Sequence, residues 1–444
     1  MIKKFSSKNP GRLLLAIIIL TITVGVILLS LPISQNSPIP FIDILFTTTS
    51  TATVTGLLTV PIKNFTIFGQ FIIFVLMQLG GLGLMTMTLL LISFVINMGL
   101  STQLIAGQIL EINKIKQVKR IFLFILTLTA IVELIGAIST FLIIYKDYEL
   151  KTAIFYSAFH SISSFCNAGI TLFPNGIAYY NHNLTMLIIT SMLMLIGSIG
   201  FITWYEIAKF LRAKFIIKKF FSISLQTKIV ISFTTVLIII GAIIFYTLEA
   251  NNSLLGFSTS EKIINSIFSA ISLKSTGFLT VNFVILQLAT ILYIFVSGFI
   301  GAAPGSTGSG IKVTVFAIAI ATMKSVITGR RDVEIFGRSI AHGQIYKALT
   351  IIILSISWII TVTFFLLITE KSFSFLDILF ETLSAFVNLG VSSGITGHLS
   401  FTGKLFLTTT MIVGRIGSLT LALAFLTGSD KVEFSYPEER IMLS

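Results

Sequence analysis

Four short segments of the chain each carry one glycine where a short helix-like run meets a loop. The segments are Val54, Thr55 and Gly56; Asn167, Ala168 and Gly169; Ser275, Thr276 and Gly277; and Asn388, Leu389 and Gly390. Glycine permits backbone conformations and close approaches that a side chain prevents. Such segments can present backbone carbonyl oxygens to an ion in place of its hydration shell. The pattern therefore predicts cation binding by backbone, and we call these triplets glycine segments 1 to 4.

The spacing of the glycine segments indicates a repeat. Their glycines lie 113, 108 and 113 residues apart, and each segment is followed by a G-x-x-G pair within the next apolar run. The pairs are Gly80/Gly83, Gly197/Gly200, Gly298/Gly301 and Gly414/Gly417. Recurrence at a fixed period is typical of repeated architecture. The sequence therefore predicts four repeats of about 110 residues.

The elements that position these segments are apolar helices. Hydrophobic residues make up 55% of the chain and charged residues 11%, against about 25% charged residues in soluble domains. Runs of about 20 apolar residues span a bilayer core, so we predict an all-α polytopic membrane protein. The predicted spans are 13–31, 69–96, 121–145, 184–207, 229–248, 283–300, 348–369 and 404–426, with a further apolar stretch at 311–327.

A short helix-like run precedes each glycine segment, at 42–52, 155–166, 263–273 and 376–386. About 11 helical residues cover roughly 16 Å, half of the hydrocarbon core, so the chain must re-enter the membrane and leave on the same side. Irregular backbone at that depth is tolerated only when it is buried in protein or lines a water-filled cavity. The negative C-terminal ends of the four helices would favour a cation there.

This reasoning predicts four repeats in a pseudo-four-fold arrangement around a single ion pore. Each repeat consists of a first span, a short re-entrant helix with its loop, and a second span (M1–P-loop–M2). The predicted boundaries are 12–100, 118–212, 226–328 with a broken second span, and 345–427, followed by a cytoplasmic C-terminal tail at 428–444.

The charge distribution predicts the orientation. Lys and Arg cluster at the N-terminus and at 114–120, 209–228 and 324–347, whereas Asp and Glu divide evenly between the two sides. Such a bias marks the cytoplasmic side. Both termini are therefore predicted to be cytoplasmic, and the glycine segments open toward the outside. This explains the net charge of +13 without nucleic-acid binding.

Other chemistries find little support in the sequence. The single cysteine, Cys166, allows no intramolecular disulfide, and we assign it no reactivity. The four histidines lack metal-ligand spacing, and no catalytic triad or phosphate-binding loop is present. We predict neither an enzyme nor a covalent cofactor, and expect no metal beyond the ion at the glycine segments.

The second span of repeat 3 is interrupted. The interruption consists of Gly301, Ala302, Ala303, Pro304, Gly305, Ser306, Thr307, Gly308, Ser309 and Gly310. Glycine and proline break a helix and free its backbone polar groups, and broken membrane helices mark ion paths. An ordinary loop outside the membrane is the alternative. We call these residues the 301–310 loop.

Four charged residues within predicted membrane segments need partners. Arg415 lies in the middle of a predicted span, where an arginine is costly and by default functional; the alternative is a structural ion pair with Glu133. Lys274 is expected to point behind its glycine segment, toward the C-terminal carbonyls of its own short helix. Asp43 and Asp377 are expected to be structural caps at helix starts.

With these motifs the chain resembles the Trk/Ktr/HKT superfamily of potassium transporters, and in particular the Ktr-type membrane subunit, over residues 10–430. Glycine in all four segments implies potassium as the transported ion. The resemblance also implies that the 301–310 loop gates the pore, with Arg415 near it. It implies a homodimer in the cell membrane and a separate cytosolic ring that binds the regulatory nucleotide, for which the basic loops at 209–228 and 324–347 are candidate docking surfaces.

Several alternatives stay open at this stage. The four segments differ in every neighbour of the glycine, so the strictness of discrimination between K⁺ and Na⁺ and any sodium-coupled symport are undetermined. A sodium-conducting relative of the same architecture is one alternative. A secondary carrier with broken helices around an organic substrate is another, and an intramembrane enzyme is a third.

Overall fold

The computed structural model describes residues 10–95, 118–218, 222–418 and 420, and within them the chain is helical apart from one small hairpin. The helices are α1 (Pro10–Leu29), α2 (Phe41–Ala52), α3 (Ile67–Val95), α4 (Val118–Ile144), α5 (Leu150–Cys166), α6 (Leu184–Ile199), α7 (Phe201–Leu211), α8 (Leu225–Glu249), α9 (Thr259–Ser275), α10 (Leu288–Phe299), α11 (Val313–Ile327), α12 (His342–Thr369), α13 (Phe375–Val387) and α14 (Phe401–Ile416). The hairpin pairs β1 (Glu334–Ile335) with β2 (Arg338–Ser339). The predicted tail at 428–444 and much of the basic cluster at 114–120 lie outside the described residues.

A long helix followed by a shorter one recurs four times among the described residues. We call α1–α3 unit 1, α4–α7 unit 2, α8–α11 unit 3 and α12–α14 unit 4. In each unit the second helix (α2, α5, α9 and α13) is shorter than the first and ends at a glycine segment; we call these four the short helices.

Among the described residues, Arg120–Ile144, Leu225–Glu249 and His342–Thr369 are long and apolar enough to cross a bilayer. Leu184–Ile199 and Phe201–Ile216 reach the length of a span only when taken together, and the two helices meet at a bend of 96°. The predicted span at 184–207 is therefore wrong as one continuous helix.

Gly200 is the residue at this bend, with φ of 93°. It is the second glycine of its G-x-x-G pair, and a positive φ cannot continue a right-handed helix. Gly417, in the same position of its pair, ends α14 with φ of 89°. In unit 1, by contrast, α3 continues past Gly83 to Val95. Helix breaks are thus not confined to unit 3.

The short helices differ in length more than predicted. Helices α2 and α13 have 12 and 13 residues, whereas α5 and α9 each have 17. Helix α9 begins at Thr259, before the predicted start, because Ser258 and Glu261 form a capping box that satisfies its first amide groups. The extra turns lie at the helix starts, so the ends at the glycine segments keep their places.

Packing between units follows a closed order. The helix after each glycine segment packs against the short helix of the next unit: α3 on α5, α6 on α9, α10 on α13, and α14 on α2. Each short helix also contributes at least one fully buried phenylalanine, namely Phe46, Phe159, Phe165, Phe268 and Phe380. The short helices therefore form the packed centre of the protein.

The outer helices expose large apolar side chains. Leu20 of α1, Leu142 of α4 and Ile353 of α12 are 64%, 64% and 63% exposed. Apolar surface of this kind is costly in water but suits contact with lipid chains. The exposed surface agrees with the multi-pass membrane protein that the composition predicts.

Candidate functional site

The four glycine segments contact one another through their backbones. Gly56, Gly169, Gly277 and Gly390 have positive φ values of 94°, 70°, 76° and 83°. Each glycine lies against the carbonyl oxygen of the residue that precedes the glycine in another segment: Gly56 on Ala168, Gly169 on Thr276, Gly277 on Leu389 and Gly390 on Thr55. The contacts run from segment 1 to 2, 3, 4 and back to 1, so the segments form a closed ring.

No side chain fits at these glycines. A Cβ atom built on Gly56 would lie 2.5 Å from the Ala168 carbonyl oxygen, and the other three positions are at least as tight. Both the positive φ and the close approach therefore require glycine. The sequence pattern pointed to these positions for this reason, although it did not show that the segments touch.

The carbonyl oxygens in these contacts accept no hydrogen bond from any described residue. Loop amides cap the preceding helices instead, as in Thr55 N to Ser50 O at 2.7 Å and Ala168 N to Ser163 O at 2.8 Å. Among the described residues, no hydrogen bond reaches the carbonyl oxygens of Thr55, Ala168, Thr276 or Leu389. Buried carbonyl oxygens are normally paired. Four unpaired ones in one ring have the chemistry of a cation site.

The side chains of the glycine segments point away from this ring or brace it. The Val54 side chain lies against Gly80, and that of Leu389 lies 3.2 Å from a Cβ built on Gly298. Val54 has a positive φ of 57°, so the chain turns sharply as it leaves α2. The contribution of segments 1 and 4 to the ring is therefore backbone.

Asn167 connects segment 2 to segment 3. Its Oδ1 accepts hydrogen bonds from Ser275 Oγ at 2.9 Å and Thr276 Oγ1 at 2.5 Å. Asn388 connects segment 4 to segment 1 through a hydrogen bond from its Nδ2 to Thr55 Oγ1 at 2.5 Å. We predicted both residues as part of the ion-binding set, through their backbone carbonyl groups. The structure shows them bonded between segments, a positioning role that the sequence could not reveal.

The first glycine of each G-x-x-G pair packs on its own short helix. Gly80, Gly197 and Gly414 lie against the carbonyl oxygens of Ala52, Phe165 and Phe386, and a Cβ built on Gly298 would lie 3.7 Å from the Leu273 carbonyl oxygen. All four carbonyls belong to the residue four before the loop glycine. The glycine pairs therefore let the following helix approach the base of the ring closely.

The 301–310 loop packs against glycine segments 2 and 3. Thr307 accepts a hydrogen bond from Asn167 Nδ2 at 2.7 Å and donates one from Oγ1 to the Phe165 carbonyl at 3.0 Å. Its amide donates to the Gly197 carbonyl at 3.1 Å. A Cβ built on Gly308 would lie 3.0 Å from Ser275 Cβ. The loop is thus packed against unit 2 and glycine segment 3.

Arg415 holds the loop from unit 4. Its Nη1 donates to the Thr307 carbonyl at 2.7 Å and to Ser309 Oγ at 2.8 Å, and its Nη2 donates to the Gly80 carbonyl. The alternative ion pair with Glu133 is absent, since that carboxylate accepts from Gln78 Nε2 at 3.0 Å. Arg415 therefore connects units 1, 3 and 4 through the loop.

A second cation at the loop was missed in the sequence. Lys312 donates from Nζ to the Gly308 carbonyl at 2.9 Å. It directly precedes α11, and its position just after the loop was the only available signal. Lys312 and Arg415 together bond to the consecutive residues 307, 308 and 309, so two basic side chains hold the loop.

Lys274 lies behind its glycine segment, but with a different partner from the one predicted. It is buried, and its Nζ donates to Thr234 Oγ1 of α8 at 3.3 Å. The lysine therefore points outward from the ring and bonds to a neighbouring helix rather than to the carbonyls of its own helix. Cys166 is fully buried beside Gly81, which agrees with the absence of any assigned reactivity.

Known proteins provide independent comparisons. A family model described as TrkH, a cation transport protein, matches residues 14–434. The potassium/sodium uptake protein NtpJ of Enterococcus hirae is 30% identical, covering 98% of this chain and 97% of its own. The Ktr system potassium uptake protein B of Bacillus subtilis is 34% identical, covering 98% and 96%. Its counterpart from Vibrio alginolyticus is 32% identical, covering 94% and 91%.

A solved structure agrees on the fold. The potassium transporter TrkH from Vibrio parahaemolyticus superposes with a TM-score of 0.73 at 16% identity, covering 94% of this chain and 85% of its own. At that identity the likeness concerns the fold alone. The full-length sequence matches carry the family assignment, which confirms the resemblance found in the sequence: the chain belongs to the TrkH family of cation transport proteins.

Proposed function

We propose that this protein takes up potassium ions across the cell membrane through a single pore formed by its four units. The observation that carries the proposal is the closed ring of unpaired carbonyl oxygens at Thr55, Ala168, Thr276 and Leu389. The four units correspond to the predicted repeats 12–100, 118–212, 226–328 and 345–427. Their pseudo-four-fold arrangement is supported by the cyclic packing of α3, α6, α10 and α14 on neighbouring short helices.

Carbonyl rings suit a cation because oxygen dipoles can replace its hydration shell. Positively charged side chains close to the ring point elsewhere, as Lys274 does toward Thr234. The names of the Bacillus subtilis and Vibrio alginolyticus relatives specify potassium uptake. These features favour K⁺ as the transported ion. They also favour ion transport rather than an enzymatic reaction as the function.

The 301–310 loop is the proposed gate. It packs against glycine segment 2 through Thr307, and Arg415 and Lys312 bond to its carbonyl groups. A cation leaving the ring toward the cytoplasmic side would meet both the loop and two positive charges. Displacement of the loop is therefore the step that would open the path.

Sodium is the second candidate, as a coupled or alternative ion. The relative from Enterococcus hirae is named a potassium/sodium uptake protein, and the neighbours of the four glycines differ between segments. The proposal also includes a homodimer and a cytosolic nucleotide-binding regulatory subunit. The latter is supported by the relatives named as proteins of a Ktr system.

The test is growth of a potassium-uptake-deficient cell at low potassium, with the regulatory subunit co-expressed and rubidium uptake as the readout. We expect the chain to restore growth and uptake, and added sodium to change the uptake rate if the two ions are coupled. Membrane-inserted protein that restores neither growth nor uptake would refute potassium uptake. Uptake of sodium in preference to rubidium would favour the second candidate.

A further inference from the structure

The segment after the bend at Gly200 has an unusual place and composition. Helix α7 leaves α6 at 96° and continues into a π-helical turn at Arg212–Ile217. The basic cluster at 209–228 marks the predicted cytoplasmic side, so the end of α7 and this turn lie where the chain reaches that side. We call residues 209–218 the surface segment.

Basic and apolar side chains are interleaved on this segment. Its cations are Lys209, Arg212, Lys214 and Lys218, and it contains no acidic residue. Three large apolar side chains among them, Leu211, Phe215 and Ile216, are 46%, 67% and 74% exposed. Apolar side chains at the acyl boundary with cations reaching the headgroups are typical of segments that lie in a membrane interface.

Within the described part of the chain, the cations of the surface segment form no ion pair with an acidic residue. The nearest acid along the chain, Glu206, accepts hydrogen bonds from Ser224 Oγ at 2.7 Å and Thr227 Oγ1 at 2.6 Å. Lys209 lies over the ring of Tyr205, with its Nζ 4.3 Å from the centroid. The positive charge therefore remains available to an external anion.

We propose that the surface segment binds the headgroups of anionic phospholipids, with Leu211, Phe215 and Ile216 inserted among the acyl chains. The basic side chains suit anionic headgroups, and the three exposed apolar side chains suit acyl chains. A surface that bound an acidic protein by charge alone would not need those apolar side chains. Anionic lipid attracts each nearby Lys or Arg with a free energy equivalent to about fivefold in binding.

Helix α7 links the surface segment to the proposed gate, because its first residue contacts the 301–310 loop; this step rests on the proposed function. The amide of Phe201, the first residue of α7, donates to the Gly305 carbonyl at 2.9 Å. A Cβ built on Gly200 would lie 2.6 Å from the Pro304 carbonyl oxygen. Lipid that holds the surface segment at the membrane thereby stabilises the 301–310 loop in its packed position.

Lipid contact can be measured without transport. Phe215→Cys gives a labelling site that is distinct from the buried Cys166, and a fluorophore there reports quenching by brominated lipids in vesicles containing the full-length chain. We expect stronger quenching by brominated phosphatidylglycerol than by brominated phosphatidylcholine. Equal quenching by the two lipids, or none, would overturn the lipid site. Absence of quenching would instead fit a surface for a cytosolic protein.

Matched charge variants identify the residues responsible. Arg212→Gln, Lys214→Gln and Lys218→Gln together should abolish the preference for phosphatidylglycerol. The control combines Arg331→Gln, Arg338→Gln and Lys347→Gln, three exposed cations on the same predicted side of the membrane, and should keep it. Equal loss in both variants would show a general charge effect and overturn the assignment to the surface segment.

The connection to the gate has its own readout. Rubidium uptake into vesicles by the parent chain should be several-fold lower with phosphatidylglycerol than with phosphatidylcholine alone, and this difference should vanish in the surface-segment variant. Uptake that is equal in both lipids, together with a preserved headgroup preference in quenching, would overturn the coupling. Loss of uptake in every lipid would count against the proposed function and not against the lipid site.

Discussion

Arg415 and Thr307 are 108 residues apart in the sequence, yet the guanidinium of one donates a 2.7 Å hydrogen bond to the carbonyl oxygen of the other. The same loop residue donates through its hydroxyl to the end of α5, at the Phe165 carbonyl. A single residue of the 301–310 loop thus connects the helix end beneath glycine segment 2 to a charged side chain of unit 4. The following predictions start from this connection.

Replacing Arg415 should loosen the loop. Arg415→Gln removes charge-assisted hydrogen bonds to Thr307 and Ser309, each contributing about 1.5–3 kcal/mol. We therefore expect basal rubidium uptake to rise by about tenfold or more, since 1.4 kcal/mol corresponds to a factor of ten. Unchanged uptake by a variant with normal thermal stability would contradict the tethering role.

Replacing Lys312 should act in the same direction with a smaller effect. Lys312→Gln removes one bond to the Gly308 carbonyl, whereas Arg415→Gln removes two bonds to the loop. Because both side chains hold the same loop, their effects on uptake should be non-additive in the double variant. Strict additivity, measured as the product of the single fold-changes, would show that the two cations act on separate elements.

Glycine segment 1 offers a matched pair of substitutions. Gly56→Ser places a Cβ 2.5 Å from the Ala168 carbonyl oxygen at φ of 94°, whereas Gly256→Ser has φ of 89° with nothing within 4 Å. Both serines suffer similar backbone strain, so only the first should disturb the ring. We expect Gly56→Ser to reduce rubidium uptake and its selectivity over sodium, and Gly256→Ser to leave both near the parent values. Equal behaviour of the two variants would refute the requirement for close approach.

Asn167 should position segments 2 and 3 rather than bind the ion. Asn167→Ala leaves the hydroxyls of Ser275 and Thr276 without their acceptor, at a cost of about 1–3 kcal/mol in folding free energy. Asn175→Ala is the control, because both asparagines have φ of 59° and Asn175 makes no side-chain cap bond. Thermal unfolding in detergent should show a lower midpoint for Asn167→Ala alone, accompanied by weaker selectivity. A midpoint equal to that of the control would contradict this role.

The contact between units 1 and 4 depends on a buried ion pair. Lys404 Nζ lies 2.6 Å from Asp43 Oδ1, with the two side chains 11% and 8% exposed. Lys404→Met leaves a buried carboxylate unpaired and should destabilise the protein by about 3–5 kcal/mol. Arg330→Met breaks the exposed pair with Glu334 and should cost about 0.2–1 kcal/mol. Similar losses of stability in the two variants would show that the Asp43 pair does not hold the ring closed.

The sequence alone determined the succession of elements and the positions of the glycines. Apolar length, the recurrence of Gly56, Gly169, Gly277 and Gly390, and the glycine-rich break at 301–310 are local properties, so they can be read without knowing which helices meet. Family membership followed from the same motifs. Asp43 illustrates the limit, because its place in a helix start was evident whereas its partner, 361 residues away, was not.

Only the tertiary structure decided how the four segments meet and what their side chains do. The unpaired carbonyl oxygens, the bonds of Asn167 and Asn388 between segments, the bend at Gly200 and the pairing of Lys312 with the loop all depend on distances between units. Such distances follow from the packing of whole helices, which no local pattern encodes. The residue types indicated the chemistry of the site. The packing decided that backbone carbonyl groups form the ring, while the side chains of Asn167 and Asn388 bond between neighbouring segments.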